Sequence, residues 1–420
     1  MMKGEPRSRR IAIACGGTGG HLFPGLAVAS QLMERGCAVT LVISPKDVDQ
    51  QAVREATGME ILTLPAIGLK RGGEVAFLRG LSRSYRTASR LFKSRPAEAA
   101  LAMGGFTSAA PVLAARRCGA RTFLHESNSI PGRANRWLSW LISQAFVGFP
   151  SAAGRLHTRN VTVTGTPVRP EFQAADAGAC RVALGLDPER PVLLVMGGSQ
   201  GASAINELVV KSLPRIAGRA PELQWCHLAG AVDGAKVARA YSEMGMKAVV
   251  HPFFARMELA LGAATATVCR AGASSLAEIA AMRVPAVLVP YPTATDNHQF
   301  HNARALEASG AARLLEQKSA TPDTLADLLW DLIEKPLVRE KMQNALGQWH
   351  TPGAAERIAD AILRSVGVPE VRASGEGAKG TQPAGRRREE GNDAPKPGLK
   401  DDRRRVRHGE VLKPERRLAA

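Results

Sequence analysis

The chain has few aromatic residues and few cysteines, and each shortage argues against a class of protein. Only 5% of its 420 residues are aromatic, three of them tyrosine, which disfavours a nucleic-acid surface built on stacked bases. The six cysteines stand singly, without the paired spacing of a zinc site or of a disulfide framework. We therefore expect reduced cysteines in the core and no metal site.

Long hydrophobic runs are also missing. The longest apolar stretch, residues 137–149, is interrupted by Ser139, Ser143 and Gln144, and a membrane-spanning helix needs about 18 apolar residues. The basic N-terminal residues are followed by only five apolar ones, residues 11–15, too few for the hydrophobic region of a signal peptide. The sequence therefore predicts neither a membrane span nor export.

Acidic residues are too few to balance the basic ones, and the formal net charge is +18. Residues 371–420 hold fourteen Lys and Arg against eight Asp and Glu, so most of the excess lies outside this C-terminal tail. Such a charge suits an anionic surface or ligand. A nucleic-acid-binding protein remains the non-enzymatic alternative.

Short apolar runs alternate with helical patterns through both halves of the chain. This rhythm is typical of doubly wound α/β domains with parallel sheets. The runs predicted as strands are residues 11–15, 38–43, 61–64, 99–103, 121–125, 161–163, 192–196, 224–229, 248–252, 267–269 and 286–290. The helical patterns of the first half are residues 24–34 and 81–93. We therefore predict two Rossmann-like domains facing a cleft.

The glycine and proline of residues 164–169 suggest a domain boundary. We predict an N-terminal domain at residues 1–168 and a C-terminal domain at residues 169–367, whose last helix packs back on the first domain. Residues 368–420 are rich in Gly, Pro, Arg and Glu and contain too few large apolar residues to offset the entropy of ordering. We predict that this basic tail is disordered and dispensable for the chemistry.

Two glycine-rich turns lie about half the chain apart. Gly16-Gly17-Thr18-Gly19-Gly20-His21 follows the first predicted strand, and Gly197-Gly198-Ser199-Gln200-Gly201 follows a strand of the second half. Free amides at a helix N-terminus bind anions, so we expect one anionic ligand in each half. Neither the dinucleotide pattern GxGxxG nor the ending of a P-loop is present in the first turn.

Polar residues follow several other predicted strands. His21 is a candidate general base, or else a helix-capping histidine. The cluster His125-Glu126-Ser127-Asn128 indicates a site, or else a capped turn. Glu278 could accept hydrogen bonds from a ribose, or else complement a helix dipole. The segment from Tyr291 to Asn302 offers donors and acceptors for sugar hydroxyls, or else is a solvated loop. Its polar members are Asp296, Asn297, His298, Gln299 and Asn302.

The order and spacing of these motifs resemble the MurG family of peptidoglycan N-acetylglucosaminyltransferases over roughly residues 9–365. The matching segments are GGTGGHLFPGLAVA, LAMGGFTS, LHESNSIPGRANRWL, VTGTPVR, LLVMGGSQGASAIN and CRAGASSLAEIAAMRVPAVLVPYP. The resemblance implies a GT-B fold and an inverting, metal-independent enzyme without a cofactor. Its expected reaction transfers N-acetylglucosamine from UDP-N-acetylglucosamine to the C4 hydroxyl of lipid I, giving lipid II. Another GT-B UDP-sugar transferase or a UDP-N-acetylglucosamine epimerase is the alternative.

The resemblance also implies roles for individual residues. His21 is the favoured base, with Glu126 as the runner-up. The residues implied in donor binding are Thr18, Gly19, Gly20, Asn128, Arg169, Ser199, Gln200, Phe254, Ala273, Ser274, Ser275, Glu278, His298 and Gln299. Those implied around the acceptor diphosphate are Gly17, Thr18, Gly19, Gly104 and Gly105. The length of the loop from Pro292 to Asp296 leaves open whether His298 or Gln299 holds the sugar.

A lipid-linked acceptor requires contact with a membrane surface. Residues 69–95 mix basic and apolar side chains, and a few basic groups suffice for reversible docking on anionic lipid. The predicted membrane patch comprises Lys70, Arg71, Phe77, Leu78, Leu81 and Arg83. We expect a peripheral protein at the cytoplasmic face of the bacterial inner membrane, with cell-wall synthesis proteins as partners and no specific nucleic acid. A solvated helix face is the alternative reading of this segment.

Overall fold

A computed structural model describes residues 8–46, 49–50, 53, 57–65, 74–198 and 202–367. In this part of the chain the first half forms a parallel sheet of seven strands in the order β3-β2-β1-β4-β5-β6-β7. Its strands are β1 (Arg10–Ala14), β2 (Ala38–Ile43), β3 (Glu60–Thr63), β4 (Ala99–Ala102), β5 (Arg121–Glu126), β6 (Gln144–Val147) and β7 (Val161–Val163).

The second half forms a parallel sheet of six strands in the order β10-β9-β8-β11-β12-β13. Its strands are β8 (Val192–Met196), β9 (Gln224–Leu228), β10 (Ala248–His251), β11 (Ala266–Cys269), β12 (Ala286–Leu288) and β13 (Arg313–Leu314). The central strands are buried on both faces, which explains their unbroken apolar composition. The predicted doubly wound α/β class is confirmed.

Helices cover both faces of each sheet. Those of the first half are α1 (Gly19–Glu34), α2 (Glu74–Ser94), α3 (Ala109–Arg117), α4 (Arg133–Leu138) and α5 (Pro150–Ala153). Those of the second half are α6 (Ala177–Ala183), α7 (Ser203–Arg219), α8 (Gly230–Glu243), α9 (Met257–Ala263), α10 (Ala273–Met282), α11 (His298–Ala308), α12 (Pro322–Glu334), α13 (Pro336–Trp349) and α14 (Ala354–Ser365).

Sequence patterns missed two strands and the true starts of two helices. Strands β6 and β13 are short, with four and two residues, so neither gives a clear alternation. Helix α1 begins at Gly19 and contains Pro24 in its second turn, although proline is usual at the first helical position and removes a hydrogen bond farther inside a helix. Helix α2 begins at Glu74, not Leu81, because its first turns expose apolar side chains that break the amphipathic pattern.

The last described helix, α14, packs against the first sheet. Its buried residues Ile358 and Ile362 share a core with Ile11 and Leu22. Asp360 accepts a hydrogen bond from Arg35 Nε at 2.9 Å, and Arg357 donates to the carbonyl of Thr164. The chain therefore crosses from the second sheet back to the first, while the predicted tail at residues 368–420 lies outside the described residues.

Strand order determines where the site forms. In the first sheet all strands are parallel, but successive strands switch from one side of β1 to the other between β1 and β4, so the glycine turn after β1 faces Gly104 and Gly105 after β4. In the second sheet the switch lies between β8 and β11. Ligands of open α/β sheets bind at such switch points beyond the carboxyl ends of the strands. Each half therefore contributes one binding edge.

Candidate functional site

The first glycine turn is held by a buried carboxylate. Asp49 Oδ2 accepts hydrogen bonds from the amide of Gly17 at 2.6 Å and from the amide and hydroxyl of Ser44, while Lys46 donates to the carbonyl of Gly17. The amide of Gly17 is thus occupied by an internal anion. This geometry argues against the predicted contact of Gly17 with the acceptor diphosphate. The amides of Gly19 and Gly20, at the first turn of α1, have no intrahelical partner and remain candidates.

The same carboxylate belongs to an Asp-x-Asp tripeptide, residues 47–49. Asp47 and Val48 lie outside the described residues, and Asp49 is committed to the glycine turn. No group of three or more His, Cys, Asp or Glu side chains suited to a metal occurs in the described ranges.

His21 packs against the backbone of Gly104 and Gly105. A Cβ at Gly104 would lie 2.8 Å from His21 Cε1, and one at Gly105 would lie 3.3 Å from His21 Nε2. Both glycines have positive φ angles, +113° and +76°. Burial lowers the pKa of His21 below its ordinary value of 6.5, and the charge of Glu126 opposes that shift. The imidazole is therefore neutral at neutral pH and able to accept a proton.

Glu126 is saturated with hydrogen bonds. Oε1 accepts from the amide and the side chain of Asn128, and Oε2 accepts from the amide of Gly132 and from Asn135 Nδ2 at 2.7 Å. Two donors on each oxygen leave little capacity for a substrate proton. The geometry therefore favours His21 over Glu126 as the base and gives Glu126 the role of holding the loop after β5.

His125 lies beneath the same loop. Its Nε2 pairs with the carbonyl of Gly165 at 3.1 Å, and its Nδ1 with Ser127 Oγ at 3.2 Å. Burial lowers the pKa of His125 to about 4, so the ring stays neutral. This histidine connects strand β5 to the turn that leaves the first sheet and does not face the cleft.

Arg169 and Glu278 form the charged part of the opposite wall. The guanidinium of Arg169 lies 4.9 Å from the ring centroid of Phe23 and 5.0 Å from that of Phe172. Burial raises the pKa of Glu278 to about 7, and Arg169 lowers it in part. Phe23 belongs to α1, so an aromatic residue of the first half orients a cation of the second; no sequence motif indicated this contact.

The donor side of the wall is built by the start of α10. Ala273, Ser274 and Ser275 form the first turn of that helix, and Phe254 stacks on His251 with ring centroids 4.9 Å apart. Ser199 and Gln200, the other predicted donor contacts of this half, lie outside the described residues.

The structure leaves different hydrogen-bonding atoms available on His298 and Gln299. His298 Nδ1 donates to the carbonyl of Thr295 at 2.8 Å, which leaves Nε2 as an acceptor. Gln299 Oε1 accepts from the amide of Tyr291 at 3.0 Å, which leaves its NH2 group as a donor. Both side chains line the cleft. His298 therefore offers an acceptor to a ligand bound there, and Gln299 offers a donor.

Two other polar residues of that segment bond to residues of the first half. Asn302 is fully buried between the two halves, and Asp296 pairs with Arg136 at 3.1 Å and with Arg133 at 3.5 Å. Full burial argues against the predicted sugar contact of Asn302, whereas Asp296 also lines the cleft and its sugar contact stays a prediction. Sequence spacing could not reveal these bonds, because the partners lie about 160 to 174 residues away.

One cleft of about 1690 Å³ collects most of the predicted residues. Those that line it are Thr18, Gly19, Gly20, His21, Gly105, Glu126, Asn128, Arg169, Phe254, Ala273, Ser274, Ser275, Glu278, His298 and Gln299. Gly17 and Gly104 lie behind its surface. The structure thus brings the base candidate, the anion-binding helix starts and the donor wall to one cavity.

The predicted membrane patch is only partly described. Lys70 and Arg71 lie outside the described residues. Leu78 is 61% exposed on α2, and Arg83 is exposed on the same helix. Phe77 and Leu81 line the cleft. Among the described residues, no helix is both long and apolar enough to span a bilayer.

Two parallel-sheet domains with ligand edges facing a shared cleft define the GT-B fold. Family models supply the enzyme class: the glycosyltransferase family 28 N-terminal domain matches residues 11–147, and the C-terminal domain of that family matches residues 192–361. The chain belongs to glycosyltransferase family 28.

Similar proteins carry one name. A relative from Xanthomonas euvesicatoria is 39% identical over 363 residues, covering 86% of this chain and 82% of the relative. One from Anaeromyxobacter dehalogenans (strain 2CP-C) is 35% identical, covering 89% of this chain and 98% of the relative. Both are named UDP-N-acetylglucosamine--N-acetylmuramyl-(pentapeptide) pyrophosphoryl-undecaprenol N-acetylglucosamine transferase. The predicted family resemblance is confirmed.

Solved structures agree with the fold. The crystal structure of Acinetobacter baumannii MurG is 28% identical, with a TM-score of 0.67, and covers 85% of this chain and 99% of that one. A UDP-N-acetylglucosamine 2-epimerase structure matches with a TM-score of 0.62 at 15% identity, covering 86% of this chain and 97% of that one. The second likeness concerns the fold alone.

Proposed function

We propose that the chain transfers N-acetylglucosamine from UDP-N-acetylglucosamine to the C4 hydroxyl of undecaprenyl-diphospho-N-acetylmuramoyl-pentapeptide, lipid I, forming lipid II. The observation that carries this proposal is the single cleft in which His21 and the start of α1 face Glu278, Arg169 and the start of α10. Family membership supplies the reaction class, and the relatives' shared name supplies the substrates.

The second half is the proposed donor site. Glu278 accepts hydrogen bonds from the ribose hydroxyls, and the amides at the start of α10 face a phosphate. Phe254 lies against the uracil side of the nucleotide. His298 Nε2 and the Gln299 amide contact sugar hydroxyls as acceptor and donor. Ser199 and Gln200 face the diphosphate in this proposal, which rests on the sequence resemblance for those two residues.

The first half is the proposed acceptor site. Neutral His21 accepts the proton of the C4 hydroxyl as that oxygen attacks the anomeric carbon of the donor sugar. The bond between that carbon and the diphosphate oxygen breaks, and its electron pair leaves with UDP. Amides at a helix N-terminus stabilise the developing negative charge. A single displacement inverts the anomeric centre and requires one base.

Docking on the membrane is the second part of the proposal. Leu78 and Val75 are 61% and 62% exposed at the start of α2, and basic side chains continue along that helix. Phe77 and Leu81 of the same helix line the cleft, so a bilayer touching α2 would present its lipid-linked acceptor beside the base. We place the protein at the cytoplasmic face of the inner membrane, where cell-wall synthesis proteins are candidate partners.

The test incubates the purified full-length protein with UDP-N-acetylglucosamine and a short-chain lipid I analogue, with EDTA present. Release of UDP and formation of the disaccharide are followed together. Acceptor-dependent product in EDTA is expected. UDP or free sugar formed without acceptor-dependent disaccharide, or epimerised donor, would overturn the transfer proposal in favour of another GT-B reaction.

A further inference from the structure

A single buried amide side chain joins the two domains behind the cleft. Asn302, in the second turn of α11, is fully buried. Its Oδ1 accepts hydrogen bonds from the amide and the hydroxyl of Ser129, both at 2.9 Å. Its Nδ2 donates to Asn128 Oδ1 and to the carbonyl of Ala271, both at 3.1 Å. All the hydrogen-bonding capacity of the amide is therefore used.

The partners come from both sides of the cleft. Asn128 and Ser129 follow strand β5 of the first sheet, whereas Ala271 precedes α10 of the second sheet. The backbone amide of Ser129 can only donate, so it requires an oxygen at Oδ1 and settles the orientation of the Asn302 side chain. A carboxylate in the same place would keep the Ser129 bonds but would face two acceptors.

These bonds lead directly to residues of the proposed site. Asn128 lines the cleft, and its side chain is held between Asn302 Nδ2 and Glu126 Oε1. On the other side, Asn302 lies one turn after His298 and Gln299 on the same helix. The buried amide thus connects three parts of the proposed site by hydrogen bonds: the acceptor-side loop, the donor loop at Ala271 and the sugar-binding end of α11.

The ion pairs between the halves are weaker candidates for this role. Arg133 and Arg136 pair with Asp296, but these arginine side chains are 79% and 42% exposed. Exposed ion pairs are screened by water and salt and constrain geometry little. A buried and fully bonded amide is directional, and losing one of its partners leaves a buried polar group without a bond.

We propose that Asn302 is a positioning residue that holds the two domains in register and keeps Asn128 directed into the cleft for transfer. This deepens the proposed function and rests on it for the identity of the reaction. Asn302 does not touch the reacting atoms; its effect reaches them through Asn128 and α11. Loss of the amide should therefore lower turnover more than it lowers donor affinity.

The main test is Asn302→Asp, which preserves shape and replaces two donated bonds with repulsion. We expect kcat for the lipid I analogue to fall at least tenfold, while the Kd for UDP-N-acetylglucosamine, measured by calorimetry without acceptor, changes less than threefold. Asn344→Asp is the matched control because Asn344 is exposed on α13 and the variant has the same change of charge. Wild-type kcat in Asn302→Asp would overturn the proposal.

A double-mutant cycle covers the case in which Asn302→Asp folds poorly. Ser129→Ala removes one hydroxyl bond, and Asn302→Ala removes the amide. Because Ser129 and Asn302 contact each other, their effects on kcat should be non-additive. The hydrogen bonds of Asn302 with Asn128, Ser129 and Ala271 form the proposed latch between the domains. Fully additive effects would contradict this latch.

Hydrogen exchange distinguishes failure of the latch from failure of the proposed reaction, since it needs no acceptor. With UDP-N-acetylglucosamine bound, the Ser129 amide should exchange at least tenfold faster in Asn302→Ala than in wild type, because its acceptor is gone. Unchanged exchange there would refute the latch even if transfer is confirmed. Faster exchange in a protein without transferase activity would support the latch and refute the reaction.

Discussion

At the scale of single residues, the neutral state of His21 is central to the proposed chemistry. Burial lowers the pKa of this histidine, and the backbone of Gly104 and Gly105 holds its ring. A base must be unprotonated before it acts, so the lowered pKa keeps it available through the neutral range. Its surroundings thus supply both the protonation state and the position that proton transfer requires.

Replacing His21 by alanine should lower kcat by about 10²–10⁴-fold, the contribution typical of a general base. Donor affinity should change less than about threefold, because most of the proposed donor contacts lie on the other wall. Steady-state kinetics with calorimetric Kd values would check this. His157→Ala is the control, since His157 is exposed and does not line the cleft.

A related change tests the placement of His21 without removing it. Gly104→Ala would bring a Cβ within 2.8 Å of the imidazole, whereas Gly119→Ala shares the positive φ but has nothing within 4 Å of the new atom. Turnover should fall further in Gly104→Ala than in Gly119→Ala. Equal turnover in the two variants would argue against this packing role.

Glu278 predicts a pH dependence of donor binding. Burial raises its pKa to about 7, so the free enzyme gains the carboxylate form as pH rises through 7. Ribose hydroxyls bond more strongly to the charged form, and donor affinity should therefore increase from pH 6 to pH 8. Calorimetric titrations would show this rise in wild type. A rise of the same size in Glu278→Gln would assign the effect to another group.

The same pKa has a consequence for stability. A carboxyl whose folded pKa lies above its ordinary 4.5 binds its proton more tightly in the folded state. Its stabilising contribution is then present below about pH 4.5 and is lost as pH rises through about 7. The melting temperature of Glu278→Gln minus that of wild type should therefore be larger at pH 8 than at pH 4.5.

At the scale of elements, the start of α2 exposes apolar side chains that activity on a substrate dissolved in water would not require. Leu78 and Val75 are large apolar side chains in contact with solvent, and basic residues follow them in the same helix. Apolar insertion and electrostatic attraction together give reversible binding to an anionic surface.

Leu78→Glu should reduce sedimentation with phosphatidylglycerol vesicles by at least threefold. The change replaces an apolar side chain that can insert into the bilayer with a carboxylate that the anionic headgroups repel. Val182→Glu is the control, since Val182 is similarly exposed on α6 of the second half. Turnover with a water-soluble acceptor should remain at the wild-type level in both. Equal vesicle binding by the two variants would remove α2 as the docking element.

Helix α14 ties the end of the described chain to the first sheet. Ile358 is fully buried within the core that includes Ile11 and Leu22. Truncating such a side chain to alanine costs about 2–5 kcal/mol. Ile358→Ala should therefore lower the unfolding midpoint in urea, and Arg364→Ala, on the exposed side of the helix, should lower it less. Equal midpoints would mean that this contact contributes little.

At the scale of the whole molecule, the catalytic parts are divided between two sheets about 180 residues apart in sequence. Neither half contains both the base candidate and the donor wall. Because the cleft lies between them, the relative placement of the sheets determines whether the substrates meet in a reactive geometry. The buried Asn302 amide, the return of α14 and the packing of Phe149 in the core of the second half are among the described features that connect the halves through their interiors.

The C-terminal tail supplies the prediction at this scale. Residues 368–420 carry much charge and few large apolar side chains, and described residues of both halves line the cleft. Deleting them should leave kcat for a short-chain acceptor within about twofold of the full-length value. A larger loss of kcat would assign the tail a part in the reaction.

The sequence by itself determined the repeated strand-and-helix order, the two glycine turns and the family. These are local patterns: a strand such as Val192–Met196 and the turn after it are specified by neighbouring residues. Glu126 was recognisable because polar groups at the end of an apolar strand are unusual, and His21 and Glu278 because they lie in the first turns of helices that follow apolar strands.

Only the tertiary structure decided which polar groups are free to bind. Gly17 loses its amide to Asp49, Glu126 is saturated by the loop around it, and Asn302 is buried between the domains. Each outcome depends on a partner that is distant in sequence or belongs to another element. Hydrogen bonds form wherever packing brings a donor and an acceptor together. A local sequence pattern does not predict which residues distant in sequence will meet in this way.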